Sequence, residues 1–400
     1  MIVYGFFLVS LFIYWLTRNN GSKLQPPLPP GPKPLPFIGC IINMLRNKPT
    51  FRWIHRLMDE MKTKIICIRL GNIHVIAVSD PIIACKFLKD KDAIFSSRPD
   101  CMSGFLTSGG YLSTVLVPMS DHWKIMRKTL ATNILSLDKH KWLQDKRDRE
   151  ADNLLRYIYK RCHIDAAVTR GVVNVRTVVQ QYSSNVIRNI MFGSRYFGKG
   201  NADGGPGDEE IEHVDSLLTV LGHLYAFCVT DYFPWLRWIT DFDGHEKIIR
   251  NAIYTARKHQ DRLVDERIQE WKDGVRTKED DLLDVFINLK NPRLTGNQIK
   301  AQIFELILAT FDNPANEVVL TDHNLQMLSF STGRRGCAGV LLGSTMTVML
   351  LARLLQGFTW ELPPGESYVD LKENIQDLMK ANPLLALVKP RLSHHLYPTY

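Results

Sequence analysis

The stretch SFSTGRRGCAGVLLG, residues 329–343, places a single cysteine among glycines and arginines, directly ahead of a long apolar helical pattern. Glycine lets a backbone turn sharply and approach a flat partner closely. A helix that begins just after Cys337 aims its N–H groups and its dipole at the sulfur, which favours the thiolate by about 0.3–1 kcal/mol. Arg335 offers a planar fork suited to a carboxylate. A thiolate beside a planar gap, with an arginine for a carboxylate, describes a haem with one propionate paired. The plainer reading is a buried cysteine in a tight turn. The apolar helix after it could be read as a membrane span, but Arg353 within it favours a buried core helix.

Two further stretches could serve the same chemistry. Trp123 and Arg127 stand four residues apart in SDHWKIMRKTLATNIL, which puts both on one helix face. Alone, that spacing describes no more than a solvated arginine. In AQIFELILATFDNPANE, residues 301–317, Asp312 and Asn313 precede Pro314. Proline removes an i to i−4 hydrogen bond, so the helix either ends there or kinks and opens a groove able to hold oxygen and water.

Such residues need a frame, and the chain reads mainly as helices. KWLQDKRDREADNLLRYIYKRC and DGHEKIIRNAIYTARKHQDRLVDERIQEWKDG carry helical periodicity with charged outer faces. DPIIACKFLKD opens with a cap and a proline at the first helical position. CIRLGNIHVIAVS, residues 67–79, is the clearest strand pair, turning at Gly71-Asn72. GKGNADGGPGDEE, residues 198–210, reads as a solvated loop.

The 400 residues carry 50 Lys+Arg against 41 Asp+Glu, a net charge of +9. A basic balance points to nucleic acid, an anionic membrane or an acidic protein. Basic runs interleaved with aromatics are missing, so nucleic acid is not expected. Seven cysteines, an odd number with no CxxC, fit neither a disulfide framework nor a zinc site. They place most of the chain in a reducing compartment.

Residues 1–17, MIVYGFFLVSLFIYWLT, carry no charge, and Arg18, Lys23 and Lys33 follow. This is a short transmembrane anchor, with everything after it cytosolic by the positive-inside rule. A secretory signal would put its positive charge first and end in a small-residue cleavage site. Residues 18–36 form a proline-rich hinge on a stiff polyproline path, and residues 37–400 a single catalytic domain.

The spacing F-x-x-G-x-R-x-C-x-G, filled by Phe330, Gly333, Arg335, Cys337 and Gly339, resembles the haem-binding signature of the cytochrome P-450 superfamily. TFDNPAN, SGGYLSTVLVPMSDHWKIMRK, FGSRYFGKGNADGGPG, AFCVTDYFPWL, DLLDVFINLK and LARLLQGFTWELP resemble, within it, the plant amino-acid N-monooxygenases. The resemblance implies a mainly α haem-thiolate fold with a small β component. It implies haem b with Cys337 as the iron ligand, Arg335, Arg127 and Trp123 near the propionates, and Phe330, Gly333 and Gly339 shaping the cofactor loop. Asp312 matches the acid of oxygen activation, and Asn313 replaces the usual threonine. The implied reaction is successive N-hydroxylation of an L-amino acid by O2, aliphatic valine or isoleucine favoured. Loss of water and carbon dioxide then gives an aldoxime for cyanogenic glucosides or glucosinolates. Electrons would come from NADPH-cytochrome reductase at the endoplasmic reticulum membrane, which the chain would cross once. Pocket residues are expected in Cys101–Met119, Phe304–Phe311 and Asn382–Ala386.

Only 25 residues separate Asp312 from Cys337. In the superfamily that interval holds an E-x-x-R helix and much of the sheet, and no E-x-x-R follows residue 300 here. The fold is therefore expected to be incomplete, with a segment missing near residues 316–321. The competing reading is a truncated, inactive relative that keeps the anchor and partner surfaces.

Overall fold

The computed structural model describes residues 27–164, 171–224, 228–236, 241, 243–312, 330–372, 374 and 380–398. The expected anchor, Asn313 and the break near 316–321 lie outside the described residues. Two compact units divide at Asp80.

In the first unit, helix α1 (Thr50–Glu60) precedes strands β1 (Ile65–Leu70) and β2 (Ile73–Val78). The strands pair antiparallel with Leu70 opposite Ile73. The two-residue turn works because Gly71 adopts a positive φ of 57°. The proline-rich segment lies against β1, where the Cys67 N–H donates to the Pro30 carbonyl at 2.8 Å.

In the second unit, α2 (Asp121–Thr129) is capped by the Ser120 hydroxyl, which accepts the Trp123 N–H at 3.1 Å. Then come α3 (Gln144–Tyr159), β3 (Val172–Asn174), α4 (Val175–Phe192), α5 (Asp208–His223), α6 (His245–Lys272), α7 (Leu282–Asn288) and α8 (Gly296–Thr310). After α9 (Val340–Gly357), β4 (Phe358–Glu361) and β5 (Leu385–Pro390) form an antiparallel sheet with β3 in the order β3-β5-β4. The mainly α expectation with a small β component holds.

One apolar cluster joins α4, α5, α6, α7 and α8, and Phe286, Phe304 and Phe311 are among its fully buried side chains. Each such side chain contributes about 1.5–3 kcal/mol by leaving water. A second cluster joins α3, the other side of α4, α9 and the sheet through Tyr182, Met346, Leu350 and Phe358. Two expectations change. The loop of residues 198–210 ends at Gly207; Asp208–Glu210 open α5, and Glu210 is buried because Arg188 pairs with it. Helix α9 is a core helix on one face only. Met346, Leu350, Leu354 and Gly357 are buried, whereas Val348, Leu351 and Leu355 are more than half exposed, because among the described residues nothing covers that face.

Candidate active site

Gly333 turns the loop ahead of Cys337 with φ 72°, and a Cβ there would fall 1.8 Å from the Leu88 carbonyl oxygen. No other residue fits. The Arg334 guanidinium Nε and backbone N–H both donate to Asp92, at 3.0 and 3.2 Å. The Cys337 N–H donates to the Phe330 carbonyl at 2.8 Å, and the Phe330 ring lies against Gly343. The Gly339 N–H, at the start of α9, points to the sulfur at 3.3 Å. A Cβ on Gly339 would sit 3.8 Å from that sulfur, an ordinary contact, so this glycine is not sterically required. Cys337 is exposed, unlike the buried Cys40, Cys67, Cys101, Cys162 and Cys228.

Helix α2 brings the tryptophan–arginine pair to this loop. Arg127 donates to the Gly336 carbonyl, and the Arg335 guanidinium lies 4.2 Å from the Trp123 ring centroid. Burial pulls the Arg127 pKa below its ordinary value, and the Cys337 sulfur opposes that shift. Arginine nevertheless stays cationic. Arg335 also donates to the backbone carbonyls of Ser96 (2.7 Å), Val117 (2.7 Å) and Thr114 (3.4 Å). Its fork clamps the 96–117 region to the cysteine loop.

Cys337, Arg335, Arg127 and Trp123 line one cavity of about 340 Å³. Leu306, Ala309 and Thr310 of α8 and Ile187, Ile190 and Met191 of α4 supply much of its apolar lining, and Thr114 and Val115 border it. The Thr310 hydroxyl donates to the Leu306 carbonyl at 2.7 Å. The lining includes Phe330 and Gly339 but not Gly333. Of the expected pocket stretches, those around 101–119 and 304–311 contribute. Asn382–Ala386 does not: Leu385 and Ala386 are committed to pairing with β3. Asp312 does not line the cavity either. It is buried just beyond α8 and accepts from the Gln180 amide at 2.6 Å.

Glu305 carries no signal in the sequence beyond an acid in an apolar helix. Its carboxylate accepts the Ser113 hydroxyl (2.7 Å) and the N–H groups of Thr114 (2.8 Å), Val115 (2.7 Å) and Leu116 (3.0 Å). Burial pushes its pKa up, and these four donors oppose that. Gln302, one turn earlier, accepts the Thr114 hydroxyl at 2.6 Å. Glu305 thus fixes the segment whose Thr114 and Val117 carbonyls hold Arg335.

The family model described as Cytochrome P450 matches residues 29–321 and 313–388. The chain belongs to the cytochrome P450 family. Valine N-monooxygenase 1 of Manihot esculenta is 41% identical over 498 residues, covering 96% of this chain and 91% of the relative. A tryptophan N-monooxygenase of Prunus mume is 40% identical, covering 96% and 93%. Isoleucine N-monooxygenase 1 of Lotus japonicus is 39% identical, covering 98% and 95%. The aligned stretches are longer than the whole 400-residue chain, so these relatives hold residues without a counterpart here.

This P450 is by family an oxidoreductase of the monooxygenase kind, and the family cofactor is haem b bound through a cysteine thiolate. The donor set of the cavity fits that group: one cysteine sulfur at a helix N-terminus, the three guanidinium groups of Arg98, Arg127 and Arg335, the Trp123 indole, and apolar side chains of α8 and α4.

Proposed function

We propose that this chain N-hydroxylates an L-amino acid toward an aldoxime, with valine or isoleucine the favoured substrates. The supporting observation is the convergence of Cys337, Arg335, Arg127 and Trp123 on a cavity bordered by apolar residues of α8. The names of the relatives add the amino-acid substrate class. Bound at Cys337, haem supplies reductive activation of O2. Arg127 and Trp123 would hold the propionate side of that group. Arg335 locks the cysteine loop to the 96–117 region and shares the carboxylate side. Leu306, Ala309 and Val115 keep water from the substrate, and Asp312 with Asn313, beyond α8, serves proton delivery.

The remaining assignments follow the same reading. Residues 1–17 anchor the chain once in the endoplasmic reticulum membrane, residues 18–36 hold the domain off it, and residues 37–400 face the cytosol. NADPH-cytochrome reductase docks on a basic face. On this reading the segment missing against the relatives falls near 316–321, and the overlap of the two family matches over 313–321 supports it.

The first test is a carbon monoxide difference spectrum of the reduced protein, with and without Cys337→Ser. The wild type should show the thiolate band and the variant should lose it; an unchanged band in the variant would assign the ligand elsewhere. The second is incubation with reductase, NADPH and single L-amino acids, followed by mass spectrometry for aldoxime. An inactive, truncated relative is the second reading, supported by the exposure of Cys337 and of one face of α9. The relatives' names favour the first reading. A folded wild-type protein with no haem band would decide for the second.

A further inference from the structure

A second cavity, of about 330 Å³, lies along α4 and α5 and shares no lining residue with the cavity at Cys337. Helix α4 turns Ile187, Ile190 and Met191 to the first cavity. To the second it turns a stripe at helical spacing, Thr177, Gln180, Gln181, Ser184 and Arg188. The whole stripe is polar, and Ser184 and Arg188 are each only 2% exposed. Buried polar groups cost free energy unless they are hydrogen-bonded.

Part of the stripe is satisfied within the protein. Arg188 pairs with Glu210 and donates through Nη1 to Asn185 at 3.1 Å and to the Arg195 carbonyl at 3.2 Å. The Gln181 amide nitrogen donates to the Gly204 carbonyl at 3.1 Å. Three buried atoms of this stripe have no partner among the described residues: Arg188 Nε, Ser184 Oγ and Gln181 Oε1. The first is a donor on a cation, the second donates or accepts, and the third accepts. Across the cavity α5 presents Val214 and Leu218, with Ile211 and Asp215 at its exposed edge.

We propose that this cavity is a binding site for a small zwitterion with an apolar side chain, an α-amino acid, separate from the site at Cys337. The carboxylate takes the Arg188 Nε–H and the Ser184 hydroxyl, a charge-assisted pair of donors. The ammonium group reaches Gln181 Oε1 and the Asp215 carboxylate. The side chain lies on Ile211, Val214 and Leu218. Because Glu210 already neutralises Arg188, a simple anion gains no net counter-charge here, whereas a zwitterion meets both ends. The proposal stands on this lining alone and does not depend on the assignment of Cys337.

The test is equilibrium dialysis of the full-length chain against radiolabelled L-valine. Ala309→Trp fills the cavity at Cys337 and Ser184→Leu fills this one. One saturable equivalent should survive Ala309→Trp and disappear in Ser184→Leu. Asp215→Asn, at the exposed edge, should weaken it about tenfold, the size of one charge-assisted contact. The half-ligands 3-methylbutanoate and isobutylamine should compete at least about tenfold more weakly than valine. Binding that is lost in Ala309→Trp and kept in Ser184→Leu would overturn the proposal, as would the absence of any saturable binding in Ala309→Trp. Circular dichroism checks the fold of each variant. If Ser184→Leu does not fold, Asp215→Asn and the half-ligands decide: wild-type affinity in the variant together with equal competition by 3-methylbutanoate rejects the site.

Discussion

Glu305 is one turn or so from Ala309 and Thr310 on α8, yet it touches the cavity only through other residues. It binds the 113–116 segment, the Thr114 carbonyl within it and the Val117 carbonyl just after it accept from Arg335, and Arg335 steadies the loop that ends in Cys337. Glu305→Ala would leave the buried N–H groups of Thr114 and Leu116 and the part-buried one of Val115 without an acceptor. Such groups cost about 1–3 kcal/mol each when left unpaired, so a loss of roughly 3 kcal/mol or more is expected in urea unfolding. Glu305→Gln keeps one acceptor oxygen but turns an NH2 toward donors, and should fall between wild type and alanine. If both variants unfold at the wild-type midpoint, the capture of the segment by Glu305 is not stabilising. His213 makes a second residue-level prediction. It is fully buried beside Phe197 and His259, and burial holds its pKa well below the ordinary value of about 6.5, with Arg188 and His259 adding to the shift. The unfolded chain then binds this proton more readily than the folded one. Stability from His213 is therefore complete above about pH 6.5 and falls as pH drops below it, by at most about 1.4 kcal/mol per pH unit. His140 and His245 shift the same way, so His213→Phe should flatten the acid limb of the stability curve in part. An unaltered limb would show that His213 is not buried uncharged.

Among the elements, those whose signals are local were legible and those that depend on distant partners were not. The Gly71-Asn72 hairpin and the Trp123–Arg127 face can each be read within a few residues, and each stands where the pattern put it. Glu305 could not be read, because its donors lie some 190 residues earlier in the chain. Glu210 looked like part of a solvated run for the same reason: its partner Arg188 belongs to another helix. The polar stripe of α4 is invisible next to its own apolar positions until α5 is packed across it. Helix α9 shows the converse, an apolar pattern whose expected cover is not found among the described residues. Val340, Leu341, Val348, Leu351 and Leu355 are all exposed, a patch of the kind that drives association. Leu351→Lys with Leu355→Lys should reduce light scattering by the purified protein and change its stability by no more than about 0.5 kcal/mol per site, the usual range for surface positions. A cooperative loss of structure in the double variant would mean that this face is covered in solution.

At the scale of the whole molecule, the face of α9 left uncovered among the described residues, the exposed Cys337 and the shortfall against the relatives point to one region. The sequence carries no E-x-x-R after residue 300, and the two family matches meet at 313–321. A cysteine loop needs its supporting shell, and a site held loosely loses the geometry its chemistry requires. Here Arg334 is held at the loop by Asp92 on its outer side, an ion pair with Arg334 more than half exposed, and exposed pairs contribute only about 0–1 kcal/mol. A buried counterpart would hold the loop far more firmly, since breaking a buried pair costs about 3–5 kcal/mol. That is a large share of a domain stability of about 5–15 kcal/mol. The 400-residue chain is therefore expected to retain haem weakly through gel filtration and to form aldoxime with reductase and NADPH at a rate well below that of a full-length relative. A chimera that inserts the corresponding block of a full-length relative near 316–321 should raise haem occupancy, quench exposed-surface dye binding at α9 and restore turnover together. Aldoxime from the unaltered chain at the rate of a full-length relative would show that the remaining frame of α2, α8 and the cysteine loop suffices. A chimera that binds haem but still exposes the α9 face would place the inserted block elsewhere in the fold.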